Sequence, residues 1–137
     1  MGNISLIHLM FILIWFGLVL AETVIEFFGN DDESLRYAAR LHYWIDILLE
    51  IPTVSGVLFT GIILTTLVWP ISWILLIKII LGLIAIAANF YCLFIVIWRK
   101  RGLHDPLLVR RLSHRIRTLW VAVPAGLGAL ALGLIYF

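Results

Sequence analysis

The chain has 137 residues, 64% of them hydrophobic and 13% charged, against roughly 45–50% and ~25% in soluble domains. That balance excludes a disordered chain, a nucleic-acid reader with a broad basic face, and almost any water-soluble domain. A lone cysteine, Cys92, excludes a disulfide framework or a four-cysteine zinc site within one chain.

A bilayer-spanning helix needs ~20 apolar residues, and the sequence predicts a single transmembrane domain over 1–137 with four such spans. The first runs over about 4–28; no Lys or Arg precedes it, so it lacks the charged start of a signal peptide. Gly-Asn-Asp-Asp-Glu at 29–33 is the first polar break, and Asn30 or Asp31 is placed to cap a new helix. That helix is expected to enter the membrane near Leu41 and to form span two, about 41–68, kinked at Pro52 because proline removes a backbone donor. Trp69-Pro70-Ile71-Ser72 is a very short turn into span three, about 73–98, with Gly102 as its cap. Asp105-Pro106 restarts a helix as N-cap and first helical residue. From 105 to 117 leucines alternate with arginines, an interfacial amphipathic lead-in to span four at about 118–137.

The expected fold is therefore all-α: an integral membrane four-helix bundle of antiparallel, up-down topology. Nine of the ten Lys and Arg lie in the connections after spans one and three, and only Lys78 lies towards the other side. The positive-inside rule then puts both termini outside, here of a bacterial cytoplasmic membrane. The basic 99–117 segment is suited to anionic lipid. Small residues Ala125, Ala129 and Gly133 give span four a close-packing face, used within the bundle, in a homodimer or in a larger membrane complex.

Helical spacing sorts the polar residues onto inward faces. His8, Trp15, Glu22 and Glu26 share one face of span one; His42, Asp46 and Glu50 are spaced by four in span two; Lys78, Gly82, Ala85, Asn89 and Cys92 line span three. Counting rise per residue puts Glu26 level with His42, Glu22 with Asp46, and Glu50 with Asn89. His8 and Lys78 fall together in the outer half. Glu22, Glu26, His42, Asp46 and Glu50 are thus the candidate metal ligands, with Asn89 at the edge of the site. Carboxylates with imidazole suit Fe, Mn or Zn, and ionisable residues inside a membrane are functional candidates by default. Competing accounts are neutralisation of the acids by Arg36, Arg40, Arg115 or Arg117, mutual hydrogen bonding of protonated acids, and a proton relay. Cys92 reads as packing. No nucleotide-phosphate motif, nucleophile–base arrangement or nucleic-acid module is present.

His8 followed by Trp15-Phe16-Gly17, Pro52 followed by Gly56, Trp73 followed by Lys78, and Arg115 and Arg117 followed by Pro124 resemble, in order, the four spans of HemJ-type protoporphyrinogen oxidases and the related CopD-like membrane domains. Asn89 stands where the HemJ-type pattern has a histidine. The resemblance implies a haem-bearing four-helix bundle that oxidises a porphyrinogen, with His8 as axial ligand to haem b and Lys78 as a haem or porphyrin contact. The expected functions are therefore a membrane metal-binding protein, in metal handling or metal-based redox chemistry, a HemJ-like redox protein, or a structural subunit of a membrane complex.

Overall fold

In the computed structural model, which describes residues 2–119 and 123–136, the chain is helical throughout. Helix α1 covers Gly2–Glu26, α2 Asp32–Ile45, α3 Ile51–Leu67, α4 Trp73–Arg101, α5 Pro106–Thr118 and α6 Val123–Tyr136. Among the described residues there is no strand, and four helical stretches are long and apolar enough to cross a membrane. They are Gly2–Glu26, Asp32–Leu67, Trp73–Arg101 and Pro106–Ile135. The predicted fourth span, 118–137, includes residues 120–122 and 137, which lie outside the described ones.

Local chemistry sets the boundaries. Asp31 caps α2, its carboxylate accepting from the Ser34 amide at 3.2 Å and the Ser34 hydroxyl at 2.6 Å. Those bonds favour the ionised form and hold the Asp31 carboxyl below its ordinary range. Ser72 caps α4 by accepting from the Leu75 amide at 3.2 Å, a cap the sequence reading did not single out. Asp105 caps α5 through the amides of Leu107 and Leu108 at 3.2 and 3.3 Å, and Pro106 occupies the first turn, where its missing N–H costs nothing.

Between α2 and α3 the backbone widens into a π turn over Asp46–Glu50, where Ile51 N–H bonds to Asp46 O. Pro52 follows it and cannot donate to the carbonyl four residues back, which frees the preceding turn to widen.

Two packing units result. Helices α1 and α3 pack together, as do α4 and α6. The units are joined at one end, where α2, α4 and α5 meet around Ile95, Val96, Leu112 and Ile116. We call this the basic end, because α5 carries Arg110, Arg111, Arg115 and Arg117. The far end carries the start of α1 and the 68–72 turn. A middle layer of Trp15, Val54, Val57, Ala85 and Ile86 forms the second core. Outward faces are apolar, with Leu6, Val24, Phe59, Phe94 and Leu134 all exposed. Trp69, Trp73 and Trp98 are exposed near helix ends, as suits aromatic residues at membrane interfaces.

Candidate metal centre

Glu22 and Glu26 come from the last two turns of α1, His42 from the last turn of α2, and Asp46 and Glu50 from the two ends of the π turn. All five are buried. The levels expected from rise per residue are reproduced: Glu26 meets His42, and Asn89 on α4 donates its side-chain N–H to Glu50 Oε1. Trp15 Nε1–H donates to the same oxygen at 3.2 Å.

Glu26 differs from the other acids. Arg99 grips its carboxylate with two bonds, Nη1 to Oε2 at 2.9 Å and Nη2 to Oε1 at 2.6 Å. The Arg99 side chain is fully buried and also donates to Ser113 Oγ at 3.1 Å. Such a fork is the strongest arrangement available to a carboxylate. Glu26 Oε1 lies 2.6 Å from His42 Nδ1 as well. An ionised carboxylate only accepts, so Nδ1 carries the proton and donates it.

This corrects the sequence-based account of the counter-charges. Arg36, Arg40 and Arg115 are exposed. Arg117 binds the backbone carbonyls of Glu26 and Gly29 at 2.9 and 3.0 Å and Asn30 Oδ1 at 2.6 Å, bracing the 29–30 loop and leaving the Glu26 carboxylate to others. The buried partner is Arg99, which sits in a basic run at a helix end and therefore reads in sequence as an interfacial residue. The only available signal was its place on the inward face of α4, seven residues beyond Cys92.

With Nδ1 fixed, His42 Nε2 is aimed at Glu22 Oε2, 3.3 Å away, and Asp46 Oδ1, 3.5 Å away, without hydrogen-bond geometry to either. Glu22 Oε1 and Glu50 Oε2 are also buried without a hydrogen-bond partner. Unpaired buried polar atoms are rare and call for an explanation. Ligand atoms of Glu22, His42, Asp46 and Glu50 all lie within 4.8 Å of one another. Metal–ligand bonds of ~2.0–2.2 Å in tetrahedral geometry place ligand atoms about 3.3–3.6 Å apart, so small side-chain shifts would draw this group around an ion. A cavity of about 120 Å³ adjoins the group, lined among others by Glu22, His42, Glu50, Asn89 and Cys92. The four-residue group can therefore hold a metal ion. Glu26 stands behind the imidazole, in the position from which a carboxylate orients a histidine ligand and fixes its tautomer.

His8 and Lys78 lie elsewhere. Both line a second cavity of about 700 Å³ in the far half of the bundle, and His8 Nδ1 is 2.7 Å from Thr60 Oγ1. Asn89 lies with the cluster, as the sequence reading placed it, and does not line the far cavity.

Comparisons with family models, with curated proteins and with solved structures each found nothing that matches this chain.

Proposed function

We propose that this is an integral membrane metal-binding protein. Its spans run antiparallel, with the basic end cytoplasmic and both termini outside, and anionic lipid contacts the basic 99–117 segment. Glu22, His42, Asp46 and Glu50 hold one transition-metal ion, and Glu26, clamped by Arg99, orients His42. Three carboxylates with one imidazole suit Fe, Mn or Zn. A bound ion of this kind supplies Lewis acidity, and with Fe or Mn also electron transfer, to metal handling or redox chemistry in the membrane.

The observation that carries this reading is the set of three unpartnered buried atoms, Glu22 Oε1, His42 Nε2 and Glu50 Oε2, in one converging group. Arginine neutralisation accounts for Glu26 alone, because Arg99 reaches none of the other acids. A proton on His42 Nε2 would satisfy that atom and leave both carboxylate oxygens unpaired. A divalent cation addresses all of them together.

Elemental analysis of purified protein tests it. Wild type is expected to carry stoichiometric metal, and His42→Ala and Glu22→Ala to lose it. Because ligands must deprotonate, affinity is expected to fall as pH is lowered. Full retention of metal in both variants would remove the cluster as the site.

A HemJ-like haem or porphyrin protein is the second reading, and the placement of His8 and Lys78 around one cavity favours it. It predicts a Soret band that disappears in His8→Ala. A colourless, metal-loaded protein would exclude it.

A further inference from the structure

The far cavity lies between the two helix pairs and is lined from α1, α3, α4 and α6. Its floor, towards the cluster, is made by Trp15, Phe16, Ala85 and Ile86. At the other extreme it reaches Ser5, Val68 and Leu134, close to the helix ends. Leu6, Ile62, Leu83 and Leu134 line it and are also exposed, so the slot opens sideways, where lipid chains would lie in a membrane. At about 700 Å³, apolar apart from a few side chains, it has the size and character of a small-molecule site.

Two groups give the lining its chemistry. The Thr60 hydroxyl hydrogen is directed to the backbone, towards Gly56 O at 2.7 Å, so Thr60 accepts from His8 Nδ1–H. In the neutral ring this leaves a lone pair on His8 Nε2. Lys78 is the one charged residue in the lining among the described residues, and no carboxylate lines the space. Its side chain lies against α6 at Gly133, where an added Cβ would come within 2.9 Å of Lys78 Cε and 3.4 Å of Nζ. His8 and Lys78 are close enough to interact electrostatically. An ammonium has three donors, so it can serve a ligand alongside another partner. Below this pair, His8 to Phe16 on α1 and Lys78 to Ile86 on α4 each give about 12 Å of mostly apolar wall.

We propose that the far cavity binds a single-chain carboxylic acid, with its head group between His8 and Lys78 and its alkyl chain laid along the apolar wall towards Trp15. The site stands apart from the metal centre and does not depend on it. A carboxyl group complements both polar groups: its oxygens accept from the ammonium, and while protonated its O–H donates to His8 Nε2. The pairing of carboxylate with ammonium is stronger in this apolar setting than in water. A cation is repelled by Lys78 and meets no carboxylate, and a bare hydrocarbon chain makes no use of either group. Along about 12 Å an extended chain places roughly ten methylene groups, so acids near that length fill the slot and much shorter ones leave part of it empty.

The test is photolabelling of the protein in phosphatidylcholine nanodiscs. The probe is dodecanoic acid carrying a diazirine near the end of its chain, and mass spectrometry locates the adducts. They are expected on the floor, at Trp15, Phe16 or Ile86. Unlabelled dodecanoate is expected to suppress them, and methyl dodecanoate, with the same chain and neither charge nor O–H, to do so about tenfold less well. Lys78→Gln is expected to lower floor labelling by about tenfold, the loss of one charge-assisted hydrogen bond, and Lys78→Arg to retain it. Should Lys78→Gln fail to fold by circular dichroism, Gly82→Leu decides the matter. Gly82 lines the cavity with nothing within 4 Å of an added Cβ, so this variant fills the slot and is expected to abolish floor labelling. Adducts confined to outward-facing residues such as Phe59 and Phe94, or equal competition by acid and ester, would overturn the proposal and leave an adventitious lipid chain as the occupant. A Soret band lost in His8→Ala would overturn it in favour of a porphyrin.

Discussion

At the basic end the helices enclose Glu22, Glu26, His42, Asp46, Glu50 and Arg99 in a tight buried group, whereas at the far end the same helices enclose about 700 Å³ of mostly apolar space. The basic end is organised by charge: each buried ion has a partner or a set of ligands converging on it. The far end is organised by omission: Gly61, Gly82 and Gly133 line the cavity, Gly82 facing open space and the other two giving room to His8 and Lys78. Burying an ion demands a specific counter-group, while a cavity demands only small residues at its walls. The two regions should accordingly respond to substitution in opposite ways.

The largest effect is expected at Arg99. Removing it leaves Glu26 ionised and buried without its fork, a loss of ~3–5 kcal/mol. Arg99→Met should lower the unfolding midpoint in detergent strongly, and Glu26→Gln combined with Arg99→Met should recover much of it. If the single variant melts like wild type, the basic end is not held by charge. Next comes Glu26→Gln alone. Loss of a carboxylate behind a histidine ligand weakens metal binding by ~10–100-fold, and competition with a chelator measures it. Unchanged affinity would detach Glu26 from the site.

Two glycines sharpen the contrast with smaller effects. A Cβ at Gly56 would come within 2.8 Å of the Phe11 ring. Gly56→Ala should therefore cost roughly 1–3 kcal/mol through overpacking, unless the ring swings away. Gly82→Ala meets nothing and should stay within about 0.5 kcal/mol of wild type. Equal penalties at both would mean that the far cavity closes in solution.

Much of the site could be read in the sequence because helix geometry is regular. A spacing of four put His42, Asp46 and Glu50 on one face, and rise per residue matched Glu26 to His42 and Glu50 to Asn89 across helices. Capping chemistry narrowed the start of α2 to Asn30 or Asp31, of which Asp31 is the cap, and placed that of α5 at Asp105. Arg99 was not legible as a buried clamp, because an arginine in an Arg-Lys-Arg run has the same local signature whether it faces water or Glu26. Ser113 was hidden likewise inside an amphipathic pattern. The large cavity was invisible for a different reason: its volume depends on how two helix pairs diverge, and no single helix encodes that. Cluster assignments from spacing also assumed a straight helix through Glu50, where the backbone instead makes a π turn.

That turn makes the region sensitive to chain length as well as to composition. A π turn accommodates one residue more than the α-helix it interrupts. Removing one of Ile47, Leu48 or Leu49, all exposed apolar residues with no role in the cluster, would let 46–50 wind as ordinary helix. The helix beyond would then keep its orientation relative to His42, because the deletion removes the surplus residue, whereas one inserted residue would rotate it by about 100° and carry Thr60 off His8. Alanine at the same three positions would leave the register alone. An indel scan through this segment would thus separate two kinds of information in one stretch of chain: which residues are present, and how many.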